Sequence, residues 1–507
     1  MNDLPFHLTC NVLASSSVSS PINILWTIPF VLLLACIALM PFINKHLWER
    51  HYAKVAIGLA ALPALYYFVI LRQPAPWLGA MEEYLSFIIL LGSLYIISGG
   101  IVIRVNRKAS PLANASLLLV GAIVANLFGT TGASMLLIRP FLRMNRGHLK
   151  PYHIVFFIFI VSNCGGMLTP IGDPPLFLGY LQGIPFRWTL DHLFFIWSFV
   201  IAALLIVFFV IDTIDHAAQA RSPAEDEGPQ MHILGIANFV FISGVLFAVF
   251  RPGFFDIVER VSIWGFSVPN ALSLLASREV LMVAAAVVSR RATSAKVYQL
   301  NEFSYAPIRE VAILFIGIFS TMAPALGWLG QNASHLPIKT PGQFYFTSGS
   351  LSSVLDNAPT YLTFLKMELG RLDASEVDQA KTIIDQMHEF QRVGLPARGT
   401  VSPNVAAALD SMVTHHRDAI LDGSTTRDQV QVAFLLGIPS LNALLIAISA
   451  GSVLFGACTY IGNGPNFMVK SIAEASGAKT PGFLGYILCY TLPILLPIYV
   501  AVWLIFL

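Results

Sequence analysis

Charge is what this sequence has least of. Only 11% of its 507 residues are Asp, Glu, Lys or Arg, and 56% are hydrophobic. A soluble globular chain carries about 25% charged residues, so most of this surface cannot face water. The 30 basic and 28 acidic residues nearly cancel, to a net charge of +2. That leaves no surplus for nucleic acid, and no basic patch is interleaved with aromatics. Cysteine is sparse and odd in number. Cys10, Cys36, Cys164, Cys458 and Cys489 lie mostly in apolar runs, which argues against a disulfide framework and fits small apolar filler. Catalytic motifs are missing too. His388-Glu389 has no second His four residues on, so the zinc-protease pair is absent. No nucleophile–base pair stands out, and Gly462-Asn463-Gly464 is a weak echo of a phosphate loop. Neither an enzyme nor a resident cofactor is expected.

What is present is apolar sequence in long runs. A spanning helix needs about 20 largely apolar residues. Candidate spans are 24–43, 55–71, 84–103, 152–181, 192–211, 233–250, 270–289, 308–328, 432–461 and 483–506. The first is too long for a signal-peptide core and lacks a basic flank before it. Two further stretches, 112–142 and 343–367, are interrupted by small and polar residues and read as re-entrant hairpins.

The positive-inside rule orients these spans. Lys45, Arg50 and Lys54 follow the first span; Arg104, Arg107 and Lys108 follow the third. Arg139, Arg143, Arg146 and Lys150 follow the first interrupted stretch, and Arg290, Arg291 and Lys296 come later. One orientation puts all four clusters inside, with the N-terminus outside. Both ends of 112–142 are then cytoplasmic, as a hairpin allows. The same count has 343–367 entering from outside and leaves the polar stretch 368–430 outside. That stretch, with His415 and His416, reads as a soluble insertion with a helix near 374–393.

The chain also resembles itself. Residues 165–179, GGMLTPIGDPPLFLG, align without gaps to 455–469, FGACTYIGNGPNFMV. Thr169 meets Thr459, Gly172 meets Gly462 and Asp173 meets Asn463, at a constant offset of 290 (459 − 169). The hairpin stretches correspond more weakly, Gly129–Ser134 with Leu355–Thr360. Each half reads as three spans, a hairpin, a broken span and a final span, in opposite orientations. The expected fold is therefore an all-α polytopic membrane protein of two inverted-topology repeats, each with a re-entrant hairpin and a broken transmembrane helix. A tail, 1–23, precedes the first repeat, 24–211 (hairpin 112–142, broken helix 152–181). A polar linker, 212–231, leads to the second, 232–507 (hairpin 343–367, insertion 368–430, broken helix 432–469). Inverted repeats with discontinuous helices are a secondary-transporter architecture.

Gly-Asp-Pro-Pro inside a spanning helix removes main-chain bonds, and each freed group costs several kcal/mol in hydrocarbon unless it is satisfied. The freed carbonyls and nearby Thr, Asn and Asp oxygens then become cation ligands. Asp173 is the sharpest candidate, since an ionisable group at membrane depth is functional by default; it could also cap the half-helix after it. Asp356 is its counterpart in the second hairpin. The two carboxylates would hold Na⁺ or a similar ion transiently and exchange it for H⁺. The candidate set is completed by Thr169, Gly172, Asn126, Thr130, Thr131, Ser134 and Asn163 in the first half. Asn357, Thr360, Thr459, Gly462, Asn463 and Asn466 supply it in the second. Each polar member could instead bond between helices. Arg278-Glu279, in a span, reads as a salt-bridged or interfacial pair.

At these motifs the chain resembles the ion transporter superfamily. That group includes NhaD-type sodium/proton antiporters, citrate–metal transporters and divalent-anion symporters. Gly165 to Phe177 and Thr459 to Met468 look like its paired broken-helix elements. Residues 307–324, PIREVAILFIGIFSTMAP, look like the span before its second hairpin. The resemblance implies an alternating-access carrier of elevator type, often a homodimer, in the bacterial inner membrane. It departs from the dicarboxylate members at both tips, which read Thr130-Thr131-Gly132 and Asp356-Asn357-Ala358, and at Leu176, where an Asn is usual. The departures disfavour a free dicarboxylate. The leading expectation is a Na⁺/H⁺ antiporter; the alternative is a carrier of citrate or another carboxylate, bare or metal-complexed.

Overall fold

The computed structural model describes residues 22–106, 109–219, 230–250, 278–301, 303–332, 337–389 and 401–507. Proline and short polar side chains set where its helices begin. Pro111, Pro151, Pro341 and Pro439 each occupy a first helical turn, where a missing N–H costs nothing. Ser110 accepts from Ala113 N–H, and Thr340 forms a reciprocal cap with Gln343, satisfying the free donors of those first turns.

The first half runs α1 (Ile28–Ile43), α2 (Lys45–Leu65), α3 (Ala75–Gly99), β1 (Val102–Asn106), α4 (Pro111–Met144), α5 (Pro151–Ile160), α6 (Pro174–Leu181) and α7 (Phe186–Gln219). β2 (Gln230–Leu234) and α8 (Asn238–Phe250) follow, then α9 (Arg278–Ala292) and α10 (Ala306–Asn332). The rest is α11 (Pro341–Ser352), α12 (Asn357–Leu369), α13 (Ala374–Glu389), α14 (Pro403–His415), α15 (Arg427–Gly437), α16 (Pro439–Leu454), α17 (Gly464–Ala475) and α18 (Phe483–Phe506). Among the described residues, eight helices are long and apolar enough to cross a membrane. The protein is a multi-pass integral membrane protein.

Two bundles result. α1, α2, α3, α8, α9 and α10 pack on one another; α4–α7 pack with α11, α12 and α16–α18. The bundles meet where α3 lies against α4 and α10 against α12.

α4 is not one rod. A straight helix rises 1.5 Å per residue, so Asn114 and Asn145 would lie about 46 Å apart along it. Instead their amides exchange hydrogen bonds of 2.9 Å in both directions. The reversal comes at Gly129, with φ 74° and ψ 156°, a backbone conformation that side chains with a Cβ resist. α11 and α12 also meet at their far ends: the Arg371 guanidinium lies 5.3 Å over the Phe344 ring and donates to Ile338 O.

Several boundaries differ from those read off the sequence. Lys45, Arg50 and Lys54 fall within α2, not in a loop, because Asn44 caps that helix by accepting from Leu47 N–H at 3.0 Å. α3 starts at Ala75, nine residues before the expected span, behind Pro74. The third-span loop and the linker pair as an antiparallel ribbon, Val102 opposite Leu234 and Asn106 opposite Gln230; these are the exception to the all-α expectation. The start of the expected span 270–289 and most of 1–23 lie outside the described residues, as do Arg107 and Lys108. Within 368–430, α13 and α14 bury a separate apolar core with α15, including Val377, Ile384, Leu409, Met412 and Phe434.

Candidate functional site

The expected broken span 152–181 does break. α5 ends at Ile160, a short 3₁₀ turn covers Cys164–Leu168, and the helix resumes only at Pro174. α16 gives way likewise to a turn at Phe455–Cys458 before α17. Surroundings decide whether such breaks are tolerable. In Pro151–Leu168 the apolar window is 94% buried within the protein and in Pro439–Cys458 it is 78% buried, against 22% for the final helix. The non-helical backbone is therefore enclosed by protein.

Two glycine pairs let each break close on itself. A Cβ on Gly172 would lie 2.1 Å from Gly166 O, and one on Gly462 would lie 2.6 Å from Gly456 O. The two threonines then do the same work in each half. Thr169 Oγ1 donates to Asn126 O at 2.6 Å and accepts from Gly172 N–H at 3.0 Å. Thr459 Oγ1 donates to Ser353 O at 2.5 Å and accepts from Gly462 N–H at 3.1 Å. Asn126 and Ser353 also match: Asn126 donates to Ala122 O and Gly165 O, Ser353 to Gly349 O and Phe455 O. Asn126 Oδ1 further accepts from Leu168 N–H.

These roles correct the hairpin alignment by one residue. Asn126 corresponds to Ser353 and Thr130 to Asn357, a shift of 227 (353 − 126 and 357 − 130 alike). The sequence alignment pairs Thr130 with Asp356 instead. Small residues at both tips gave too little pattern to fix the register.

Asp173 is fully buried and stands at the N-cap of α6, but its carboxylate caps nothing. It turns inward. Oδ1 accepts from Thr130 Oγ1 at 3.1 Å and from Asn463 Nδ2 at 3.2 Å; Oδ2 accepts from Asn357 Nδ2 at 2.6 Å. Each donor comes from a different element: α4, the second break and the start of α12. All three are neutral, and among the described residues no Lys, Arg or His forms an ion pair with Asp173. Its sequence mate Asn463 is thus its spatial neighbour, and also donates to Ser162 O.

The other candidates are arranged around this centre or away from it. Asn163 donates to Ile158 O and to Asn466 Oδ1, the latter at 2.6 Å, while Asn466 donates to Gly456 O and Thr459 O. Gly172 O accepts from Thr130 N–H at 2.8 Å. Ser134 shares a 2.8 Å bond with Ser162, Thr360 donates to Asp356 O, and Thr131 lines a small pocket against Phe87 and Leu90 of α3. The capping role falls to Asp356 and not to Asp173: it accepts from Ala358 N–H at 3.2 Å. No hydrogen bond joins it to Asp173. Ser353 and Ser162 were not singled out from sequence; their oxygens act only because the fold brings another segment to them. Among the described residues, no group of three or more His, Cys, Asp or Glu is placed to hold a metal ion. Arg278 and Glu279 bond each other at 2.6 Å and share Ser86 of α3.

Residues 19–507 match the family described as "Putative citrate transport". The chain belongs to that citrate-transport family. No curated protein matches it. Membership of a transporter family agrees with the expectation that the chain is not an enzyme, and it places the protein within the ion transporter superfamily. It favours the carboxylate-carrier alternative over sodium/proton exchange.

Proposed function

We propose that this member of the citrate-transport family is a secondary carrier that moves citrate or a related carboxylate by alternating access. In this reading Asp173 takes up the coupling cation or proton. The observation that carries it is the Asp173 carboxylate, fully buried and held only by neutral donors from three elements. A fixed negative charge with no fixed counter-charge calls for a mobile one. A metal–citrate complex would bring both charges together, which suits a site lacking a paired basic side chain.

The proposal includes two inverted repeats with re-entrant hairpins, α4 and α11–α12. Its support is the reversal at Gly129, the matching threonine bonds in the two breaks, and the equivalent positions of α3 and α10 beside the hairpins. The bundle of α1–α3 and α8–α10 would stay fixed while the other carries the site. The polar segment around α13 and α14 would lie outside, with the N-terminus.

The test is uptake of labelled citrate into liposomes holding the purified protein, with Mg²⁺, Na⁺ or a pH gradient supplied in turn. Uptake that needs one of these and vanishes in Asp173→Asn supports the proposal. Proton flux driven by Na⁺ with no citrate uptake would replace it with cation antiport, which the same carboxylate could serve.

A further inference from the structure

Away from Asp173, another carboxyl lies in the seam between the two bundles. Glu83 of α3 is partly buried, and its Oε1 accepts from Gln182 Nε2 at 2.6 Å. Gln182 caps the end of α6, on the bundle that holds Asp173. Two residues earlier, the Tyr180 hydroxyl donates to Val249 O of α8 at 3.0 Å, a second bond across the same seam. α6 has eight residues and starts at Asp173, so a movement of this seam reaches the buried carboxylate through one short helix.

The Gln182 amide is bonded on one side only. The residue is 4% exposed, and its Oε1 is buried without a hydrogen-bond partner. An amide oxygen in that position is costly, and native structures contain few. Among the described residues no Lys, Arg or His forms an ion pair with Glu83. The charges acting on it are Lys366 of α12, Asp428 of α15 and Glu82 beside it. Lys366 Nζ lies 3.7 Å from the Asp428 carboxylate, so one ammonium serves two acids. With both acids ionised, the trio carries one excess negative charge.

The other elements against α3 do not alter that balance. α6, α8 and the stretch of α10 beside Tyr84, 312–319, are uncharged. On α9, Arg278 and Glu279 bond each other and Ser86, and Arg278 acts on Tyr180. On α4, Arg139 acts on Tyr95, about three turns along α3 from Glu83.

A protonated carboxyl has one O–H to donate, and a primary amide both donates and accepts. Acid and amide therefore bond reciprocally. Glu83 and Gln182 already meet through Nε2, and Oε1 belongs to the same planar amide. One proton on Glu83 supplies the donor that Oε1 has nowhere else, and it brings the charge of the trio to zero. We infer that Glu83 is a proton-binding latch between the bundles: protonated, it holds Gln182 and closes the seam; ionised, it lets the bundles part. Parting admits water to the carboxylate and to the amide oxygen, which relieves the burial of both. The inference rests on the proposed carrier reading for its purpose, since alternating access requires the bundles to move.

Pulsed electron paramagnetic resonance on the full-length protein in nanodiscs, without citrate, reads the seam directly. Spin labels go on Leu78→Cys of α3 and Arg187→Cys of α7, both exposed, with Cys10, Cys36 and Cys489 changed to Ser. At about pH 5 one short distance is expected, and at about pH 9 a second, longer one. Glu83→Gln, whose amide donates and accepts as the acid does, should show the short distance alone at both. Gln182→Leu should show the longer one at both. A wild-type distribution unchanged with pH, or a pH response that survives Glu83→Gln, would overturn the inference. Citrate uptake with an unchanging seam would overturn the latch alone. A pH-gated seam in a protein that takes up no carboxylate would leave the latch standing and overturn the carrier reading.

Discussion

The two breaks are built alike and finished differently. In each, a threonine ties the turn to a main-chain oxygen, Asn126 O of α4 or Ser353 O at the end of α11, and a glycine pair lets the chain fold back within van der Waals distance. The first break then ends in Asp173 and the second in Asn463, side chains of nearly the same shape that meet at 3.2 Å. The shared parts serve folding, since any break at this depth needs its main chain satisfied. The unshared part carries chemistry: one half contributes a charge and the other contributes donors to it. A carrier with identical ends would put two carboxylates 3.2 Å apart or none.

The most damaging way to disturb this contrast is Asp173→Asn, which makes the two ends equal. Citrate uptake in liposomes should fall to background while the protein stays monodisperse. Exchanging the ends, Asp173→Asn with Asn463→Asp, should restore measurable uptake, because the carboxylate moves only to the neighbouring position. Uptake equally absent in the exchange would mean that the place of the charge, and not its presence at the centre, decides function.

The glycine pairs give the next effect. Gly172→Ala puts a methyl 2.1 Å from a main-chain oxygen, and Gly456→Ala puts one 3.1 Å from the nearest atom. The first should cost about 3 kcal/mol or more and the second about 1 kcal/mol or less, read as melting temperatures in choline chloride. Equal losses would show that the first break relaxes in ways its geometry does not suggest.

A third difference is the segment of α13 and α14 in the second half, with its own apolar core. It docks on the first half, with Gln429 against Gly183 and the His416 ring at the Gly183 backbone. Burial, with neighbouring His415 adding to it, pushes His416 from the usual 6.5 down to about 4, against a raising contribution from the Gly183 bond. The folded state then binds fewer protons than the unfolded one between those values. Stability contributed by the neutral ring is present above pH 6.5 and lost as pH falls toward 4. The loss is at most about 3 kcal/mol. Limited proteolysis within 401–426 should speed up over that window, and His416→Phe should flatten the dependence. A profile unchanged by the substitution would assign the pH response to another group.

The sequence showed the breaks plainly, because Gly-Asp-Pro-Pro and Gly-Asn-Gly-Pro cannot continue a helix in an apolar run. Thr169 and Thr459 were legible as a pair, since both lie in the gap-free alignment. What was hidden depended on distant segments. Asp173 sits where a capping residue would, and nothing local shows that its carboxylate turns instead to Thr130, Asn357 and Asn463. Asp356 looked like its partner by charge, yet it closes the first turn of α12. The register of the two stretches differs by one from the sequence alignment because Asn126 and Ser353 share only their main-chain role, and a hydroxyl at Ser353 stands where Asn126 has an amide. The ribbon of β1 and β2 joins a loop to a linker over 120 residues away, beyond the reach of any local pattern.

The smallest expected effect tests whether the shared parts are equal in energy as well as in geometry. Thr169→Val and Thr459→Val keep the side-chain shape and remove one donor and one acceptor in each break. Each leaves a carbonyl, Asn126 O or Ser353 O, without its hydroxyl; Gly462 N–H also loses the Thr459 hydroxyl, whereas Gly172 N–H keeps Thr169 O at 2.9 Å. A buried bond of this kind is worth about 1 kcal/mol, with up to about 3 kcal/mol when a group is stranded. If the halves are equivalent below the level of Asp173 and Asn463, the two variants should lower the melting temperature by the same amount. A larger loss at Thr169 would mean that the first break leans harder on its threonine, because Thr130 N–H also closes on Gly172 O there and the bonds fail together. A larger loss at Thr459 would point to the opposite cause: with no Asn357 bond to Gly462 O, the threonine is the main tie holding that turn.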